Sequence, residues 1–428
     1  MSTRHRVVIV GGGFGGLYAA RALRKAPVDV TLIDRRNFHL FQPLLYQVAT
    51  GGLSPANIAA PLRAVLRRQR NTSVLLGTVV DFDLARREVI LTDGTVPYDS
   101  LIVATGSWHH YFGHPEWERF APGLKTVEDA TAIRRKVLTA FEQAEKSDDP
   151  VERQACLTFV IVGGGPTGVE LAGAVAELAC HTLRDNFRRI HPDTARVLLL
   201  EAGERVLPTF PADLSARAEQ SLRRLGVTVR TRTAVVGVAA DRVTVRDGNG
   251  TDEVVTRTVL WGAGVEASPL ARLLAGKCGA TVDRSGRVVV TPECTLPGHP
   301  EVFVIGDMAH FPTPAGRPLP GVAQTAMQMG AYAARLIERR LDGKPSPGPF
   351  VYNDLGSMAT IGRNAAVADL GWLRLSGYPA WLAWLFIHVL YLIEFENRVL
   401  VLFQWAWNYL TRGRAARLIT GDEPTERK

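Results

Sequence analysis

Read for its alternation of apolar and polar positions, the chain carries one passage twice. Arg6 to Val10 is a β-branched run with no polar face, the pattern of a strand buried on both sides in a parallel sheet. A glycine-rich turn follows, and Leu17 to Leu23, apolar and alanine-rich, predicts a helix. Val28 to Ile33 predicts a second strand. The same order of strand, turn, helix and strand returns 152 residues later, as Thr158 to Val162, the glycines from Gly163, Val169 to Leu178, and Arg196 to Leu200. Further apolar strands beginning at Leu101, Thr258 and Glu301 each run into a glycine turn. The C-terminal pattern differs. Pro379 to Ile393 is 15 apolar and aromatic residues, about 22 Å as a helix, against roughly 30 Å of hydrocarbon core. Glu394, Glu396 and Arg398 come next, and then Val399 to Leu410 resumes the apolar pattern. One crossing helix would bury those charges, so two amphipathic helices lying in a membrane interface are expected.

The turns bring chemistry. Gly11, Gly13 and Gly16 form a GxGxxG between strand and helix, and the second strand ends in Asp34, 23 residues after Gly11. That is the dinucleotide fingerprint: a tight turn, close backbone approach to a pyrophosphate, close helix packing, and an acid for the ribose. Gly163, Gly165 and Gly168 repeat it, with Glu201 as the acid after 38 residues. A carboxylate there repels a 2′-phosphate, so NADH is expected over NADPH. Two cradles imply two dinucleotides, and a hydride path from a nicotinamide to a flavin is the simplest need for both. Ala104-Thr105-Gly106, Gly262-Ala263-Gly264 and Gly306-Asp307 each close a strand where backbone can approach a nucleotide, and Asp307 suits the ribityl chain of a flavin.

Composition narrows the classes. The net charge is +8, yet no basic block dense enough for a nucleic-acid arm is present, so no nucleic acid is expected. Cys156, Cys180, Cys278 and Cys294 include no CxxC pair, which disfavours both metal binding and a CxxC redox centre, and no metal is expected. The apolar run at Val7 is too short for a signal peptide.

The order GxGxxG, ATG, GxGxxG, GAG and GD resembles the two-dinucleotide-binding-domain flavoproteins over roughly Arg6 to Leu336. The CxxxxC of their disulfide reductases is missing, since no cysteine precedes Cys156. Within that superfamily, "FHLFQPLLYQVATGGLSP", "GGGPTGVELAG", "VAQTAMQMG" and "FENRVLVLFQWAWNYL" resemble type II NADH dehydrogenases, the single-chain NADH:quinone oxidoreductases. The resemblance implies an α/β fold of two Rossmann-like dinucleotide-binding domains, for FAD and NADH, plus a C-terminal amphipathic helical membrane-binding region. The implied boundaries are 1–112 and 281–340 for the FAD domain, 113–280 for the NADH domain and 341–428 for the quinone- and membrane-facing region. FAD would lie against Gly11, Gly13, Phe14, Gly16, Asp34 and Arg35, with Ala104, Thr105, Gly106, Gly306, Asp307 and Ala323 around it. NADH would lie against Gly163, Gly165, Gly168, Glu201 and Gly264. Gln324, Gln328 and Arg363 are implied on the quinone side, and Glu170, Gln324 and Gln328 as catalytic. Helical spacing puts the two glutamines on one face, where an amide serves a quinone carbonyl in either redox state.

The implied enzyme passes hydride from NADH to FAD and two electrons to a membrane quinone, ubiquinone or menaquinone. It is peripheral on the cytoplasmic side of the membrane, and with no spanning helix it pumps no protons. Trp381, Trp384, Trp405, Trp407 and Tyr409 are expected at the headgroup level, and four arginines between Arg398 and Arg417 against anionic lipid. A second copy of the chain is a further candidate partner. Sulfide:quinone oxidoreductase-like chemistry, or another NADH:acceptor flavoprotein reductase, is the alternative.

Overall fold

The computed structural model describes residues 4–313, 318–393, 395–411 and 413–421. Glu394, Arg412 and the side chain of Glu396 lie outside them. Along the chain, the elements that build the candidate site are β1 (His5–Val10), α1 (Phe14–Ala22), β2 (Val28–Asp34), α2 (Leu45–Ala49), β3 (Thr72–Leu76), β4 (Ser100–Val103), β5 (Thr158–Val162), α3 (Pro166–Glu177), β6 (Arg196–Leu200), β7 (Val227–Arg230), β8 (Thr258–Trp261), β9 (Thr295–Leu296), β10 (His299–Val304), α4 (Ala323–Leu341), β11 (Ser357–Thr360), β12 (Ala366–Asp369), β13 (Arg374–Gly377), α5 (Tyr378–Tyr391) and α6 (Phe395–Thr411).

They divide between two compact units. Unit 1 takes Met1–Leu40, Ala59–Trp108 and Val265–Asp354; unit 2 takes Phe41–Ile58, His109–Gly264 and Leu355–Lys428. These groupings differ from boundaries drawn at glycine and proline signals. The stretch 41–58 leaves the first Rossmann segment because α2 packs on α3. The tail joins unit 2 because β11 also lies on α3, and α5 covers β12 and β13.

In unit 1, the sheet order is β9-β10-β4-β1-β2-β3. All its pairings are parallel except β9 with β10. Val7 to Val10 are buried on both faces, as the unbroken apolar run requires. Val10 pairs with Ile33, so Gly11 and Asp34 emerge side by side at the carboxyl edge, where open parallel sheets bind ligands. Helix α4 packs closely on α1: a Cβ on Gly330 would stand 2.3 Å from the Gly15 carbonyl oxygen.

In unit 2, the parallel sheet order is β7-β6-β5-β8. Val162 pairs with Leu200, so Gly163 and Glu201 adjoin as Gly11 and Asp34 do. The longer spacing in the second copy leaves this register intact. Its extra residues form turns after α3, at Leu178–Thr182 and Pro192–Thr194. The core here joins Val160, Val162, Leu198, Leu200 and Trp261.

Helices α5 and α6 are 14 and 17 residues long, and among the described residues no helix is long and apolar enough to cross a membrane. Each is apolar on two faces. Ala380, Trp384 and Val401 turn inward and are buried; Leu382, Phe386 and Leu390 on α5, with Phe403, Trp407 and Leu410 on α6, are exposed. An exposed apolar stripe at helical spacing is the signature of an interaction face.

Candidate functional site

The cradle of unit 1 is closed by covalent geometry that only glycine allows. Gly11 has φ +105, and a Cβ there would stand 2.4 Å from the carbonyl oxygen of Ala104. A Cβ on Gly16 would overlap the Gly11 carbonyl oxygen. Gly13 faces open space and begins α1 without any side-chain cap. The N-terminal end of α1, with its positive dipole, therefore points where a pyrophosphate belongs. Asp34 accepts hydrogen bonds from the N–H of Gly12 at 2.6 Å and of Arg36 at 2.7 Å, and its burial raises the carboxyl above the ordinary aspartate range.

Neighbouring residues furnish the rest of this cradle. Ser107 Oγ donates to Asp307 at 2.6 Å, and Thr105 Oγ1 lies 2.8 Å from the Met308 sulfur. Gly306 would place a Cβ 3.1 Å from that of Ala326, which puts the start of α4, with Ala323 and Gln324, beside the cradle. Gln328, one turn on, has both ends of its amide engaged with Asn353: Nε2 donates to the carbonyl at 2.8 Å and Oε1 accepts the N–H at 2.9 Å. Phe14 meets the His39 ring edge-on at 4.9 Å, and the Arg35 guanidinium lies over Trp108, 4.9 Å from the ring centre. Sequence reasoning missed His39. It is buried, its Nδ1 lies 3.0 Å from the Gly12 carbonyl, and burial holds its pKa down to about 4. The neutral ring thus donates from Nδ1, and the turn is held from below.

Unit 2 repeats the cradle. Gly163 has φ +103 and would place a Cβ 2.7 Å from the Ala263 nitrogen, while a Cβ on Gly168 would overlap the Gly163 carbonyl oxygen. Gly165 faces open space and starts α3 without a side-chain cap. Glu201 accepts from the N–H of Gly164 at 2.5 Å and of Gly203 at 2.6 Å. Gly264 packs on the His110 carbonyl and the Phe112 ring. Both cradles thus fit an adenine dinucleotide: an open floor, a helix that starts without a side-chain cap and a carboxylate at the end of the second strand.

The same unit holds a cavity of about 140 Å³. Its lining includes Tyr46 and Gln47 from α2, Glu177 from α3, Arg363, Trp384 from α5, Trp405 from α6, and Arg414. Arg363 is the one residue in it that the sequence assigned to the quinone side. Its backbone N–H donates to Glu177, its guanidinium donates to the Tyr409 carbonyl and lies 4.2 Å from the Tyr409 ring centre. Glu177 also pairs with Arg414 at 3.2 Å, both mostly buried.

Glu170, in the first turns of α3, is not among the lining residues of the cavity but acts on one of them, Tyr46. It is partly exposed but enclosed densely enough that desolvation raises its pKa to about 8; a backbone hydrogen bond from Thr360 opposes the shift. It also raises, by its charge, the pKa of Tyr46, which burial pushes up first.

The C-terminal aromatic residues divide. Trp407 is exposed, as expected for the headgroup level, whereas Trp384 is 2% exposed and Trp381, Trp405 and Tyr409 line the cavity with it. Of the four arginines expected to meet lipid, the three described ones hydrogen-bond within the protein: Arg398 to the Leu392 carbonyl, Arg414 to Glu177, Arg417 to the Arg414 carbonyl; Arg412 lies outside the described residues. Tyr46, Gln47 and the Glu177–Arg414 pair were not singled out from sequence; Tyr46 and Gln47 lie inside the quoted stretch beginning at Phe38, whose pattern carried the only signal.

Comparison with known proteins matches residues 5–330 to the pyridine nucleotide-disulphide oxidoreductase family and residues 355–415 to the NDH2 C-terminal domain. The chain is 48% identical to type II NADH:quinone oxidoreductase NdhA of Mycobacterium tuberculosis over 426 residues, covering 97% of this chain and 90% of that one. It is also 48% identical to Ndh of the same organism over 427 residues, covering 98% and 91%. Among solved structures, NDH2 of Plasmodium falciparum in complex with NADH superposes with a TM-score of 0.87 at 20% identity, covering 98% of this chain and all of that one.

Proposed function

This chain belongs to the type II NADH:quinone oxidoreductases, and we propose how its cradles and its aromatic cavity divide that reaction. The enzyme is FAD-dependent, oxidises NADH and delivers two electrons to a quinone. Unit 1 holds FAD, with Gly11, Gly13 and Gly16 under the pyrophosphate, Asp34 at the ribose and Asp307, oriented by Ser107, at the ribityl chain. Gly264 and the cradle at Gly163, Gly165, Gly168 and Glu201 hold NADH. The single observation that carries this assignment is the duplicated cradle itself, each copy uncapped, open and closed at its far end by a carboxylate.

Bound FAD supplies the two-electron relay between a nicotinamide and a quinone. The protein's own residues position both partners and manage protons. Glu201 selects against a 2′-phosphate by like-charge repulsion. Gln324 offers an amide to the quinone, and Gln328 holds the segment at Asn353. Glu170, protonated at neutral pH, is a proton reserve for quinone reduction. No proton is pumped.

The exposed residues Leu382, Phe386, Leu390, Phe403, Trp407 and Leu410 support docking to one leaflet without crossing it. The docked face is the cytoplasmic one, where NADH is available. Sulfide chemistry would need reactive cysteines. Cys156 and Cys294 are buried, and burial pushes the Cys156 thiol up to about 11 and that of Cys294 higher still; of the two half-buried cysteines, Cys180 is also raised by burial and Cys278 donates to carbonyls of its own helix.

The test is steady-state NADH oxidation by the purified protein in detergent, with and without a short-chain ubiquinone or menaquinone analogue. A rate that depends on quinone and prefers NADH over NADPH supports the reading. NADH oxidation indifferent to quinone overturns it.

A further inference from the structure

The cavity of unit 2 presents several hydrogen-bond donors among its lining residues. The Trp405 indole N–H can only donate, and Nε1 lies 2.7 Å from Gln47 Oε1. That contact fixes which end of the Gln47 amide is oxygen, so the Nε2 hydrogens face the Tyr46 hydroxyl at 3.0 Å. Thr360 Oγ1 donates to the same hydroxyl from 3.1 Å. A phenol oxygen accepts two hydrogen bonds and donates one. With both lone pairs engaged, the Tyr46 proton is the part of the group left for a ligand. Among the described residues, Trp384 Nε1 and Arg363 Nε, on two other lining residues, are buried donors without an acceptor. The Glu177 carboxylate is already taken by Arg363 and Arg414. Buried donors left unmatched cost about 1–3 kcal/mol each. Trp384 and Trp405 pack on each other, with ring centres 5.4 Å apart, as one aromatic wall of the cavity, and a ligand that brings oxygens on a flat apolar body against that wall relieves the cost.

We propose that Tyr46 is a catalytic residue that hydrogen-bonds and protonates a carbonyl oxygen of the quinone in this cavity, with Gln47 and Trp405 as its positioning residues. The proposal rests on the quinone reading above. Quinone reduction consumes two electrons and two protons. The hydride from NADH accounts for both electrons and one proton, and water supplies the other. As the electrons arrive, the Tyr46 O–H bond breaks and a new O–H bond forms on the quinone. The phenolate recovers a proton from Glu170, which shares Thr360 with Tyr46: the backbone N–H serves the carboxyl and Oγ1 the phenol. Glu170 is then reprotonated from water.

The experiment uses the FAD-loaded full chain and two acceptors, a short-chain ubiquinone and ferricyanide, which takes electrons without protons. Tyr46→Phe is expected to lower kcat with ubiquinone on the order of 100-fold, while leaving ferricyanide reduction and flavin bleaching by NADH at wild-type rates. Trp405→Phe keeps an aromatic ring but releases Gln47; it is expected to lose about 10-fold with ubiquinone alone and to shift the pH profile of that step, which a purely structural role would not do. It carries the test if Tyr46→Phe fails to retain FAD. Wild-type ubiquinone kinetics in Tyr46→Phe, or equal losses with both acceptors in both variants, overturn the proposal. A wild-type enzyme that reduces ferricyanide but no quinone overturns the quinone reading and this proposal with it.

Discussion

Replacing Glu170 with glutamine keeps the shape of the side chain and removes its charge. The carboxyl has an ordinary pKa of 4.5 and is raised to about 8 by desolvation in the fold. Because the folded value lies above the unfolded one, the native state holds a proton that the unfolded chain has released. This contribution to stability is fully present below about pH 4.5 and is lost as pH rises through about 8. Each pH unit in that window removes about 1.4 kcal/mol, so the wild type loses up to about 3 kcal/mol between pH 6 and pH 9. The carboxyl retains some accessible surface, and solvent screening makes this an upper value. Desolvation sets the titration, opposed by the Thr360 backbone N–H, and the nearby Tyr46, raised by burial, stays neutral below pH 9. Thermal unfolding of the FAD-loaded enzyme at the two pH values provides the assay. Glu170→Gln is expected to be less sensitive to pH by several degrees in Tm, to bleach with NADH normally, and to reduce quinone slowly at every pH. The wild-type quinone rate should itself decline above about pH 8. An equal Tm change in both proteins would refute the assigned environment of Glu170.

Three further outcomes follow from the same geometry. Gly163→Ala places a Cβ 2.7 Å from the Ala263 nitrogen at φ +103, and is expected to weaken NADH binding at least 10-fold, measured by titration against flavin bleaching, with FAD retained. Arg414→Met leaves the mostly buried Glu177 carboxylate without its charged partner, keeping only the Arg363 N–H; a loss of about 3–5 kcal/mol is expected by chemical unfolding, and a second substitution, Glu177→Gln, should recover part of it. Phe386→Ser with Phe403→Ser removes two exposed rings, 64% and 71% accessible; co-sedimentation with anionic vesicles should fall several-fold while ferricyanide reduction by the soluble enzyme is unchanged.

Local pattern and distant assembly were legible to different degrees. The cradles could be read because each lies within one strand-turn-helix-strand segment. The acid at position 34 or 201 follows from sheet register, which sets Val10 against Ile33 and Val162 against Leu200 whatever the intervening length. The cavity could not be read, since it gathers α2, α3, α5, α6 and the segment at Arg363, and no spacing rule links Tyr46 to Trp405. The terminal helices posed a different problem. Each carries apolar residues on two faces, so hydrophobic periodicity could not say that Trp384 turns inward and Trp407 outward. Charge was ambiguous too. Arg414 looks like a lipid contact until Glu177, more than two hundred residues earlier, is seen beside it. Helical spacing rightly put Gln324 and Gln328 one turn apart, but could not reveal that Asn353 engages the second amide.

In this enzyme one polypeptide takes hydride from NADH and returns the electrons to a quinone. An anaerobic double-mixing experiment measures it directly. The yellow enzyme is mixed with one equivalent of NADH and then with a short-chain ubiquinone. Bleaching in the first step and full return of the flavin colour in the second, with one quinol formed per NADH consumed, is the predicted result. A flavin that bleaches and stays colourless in the presence of quinone would contradict it.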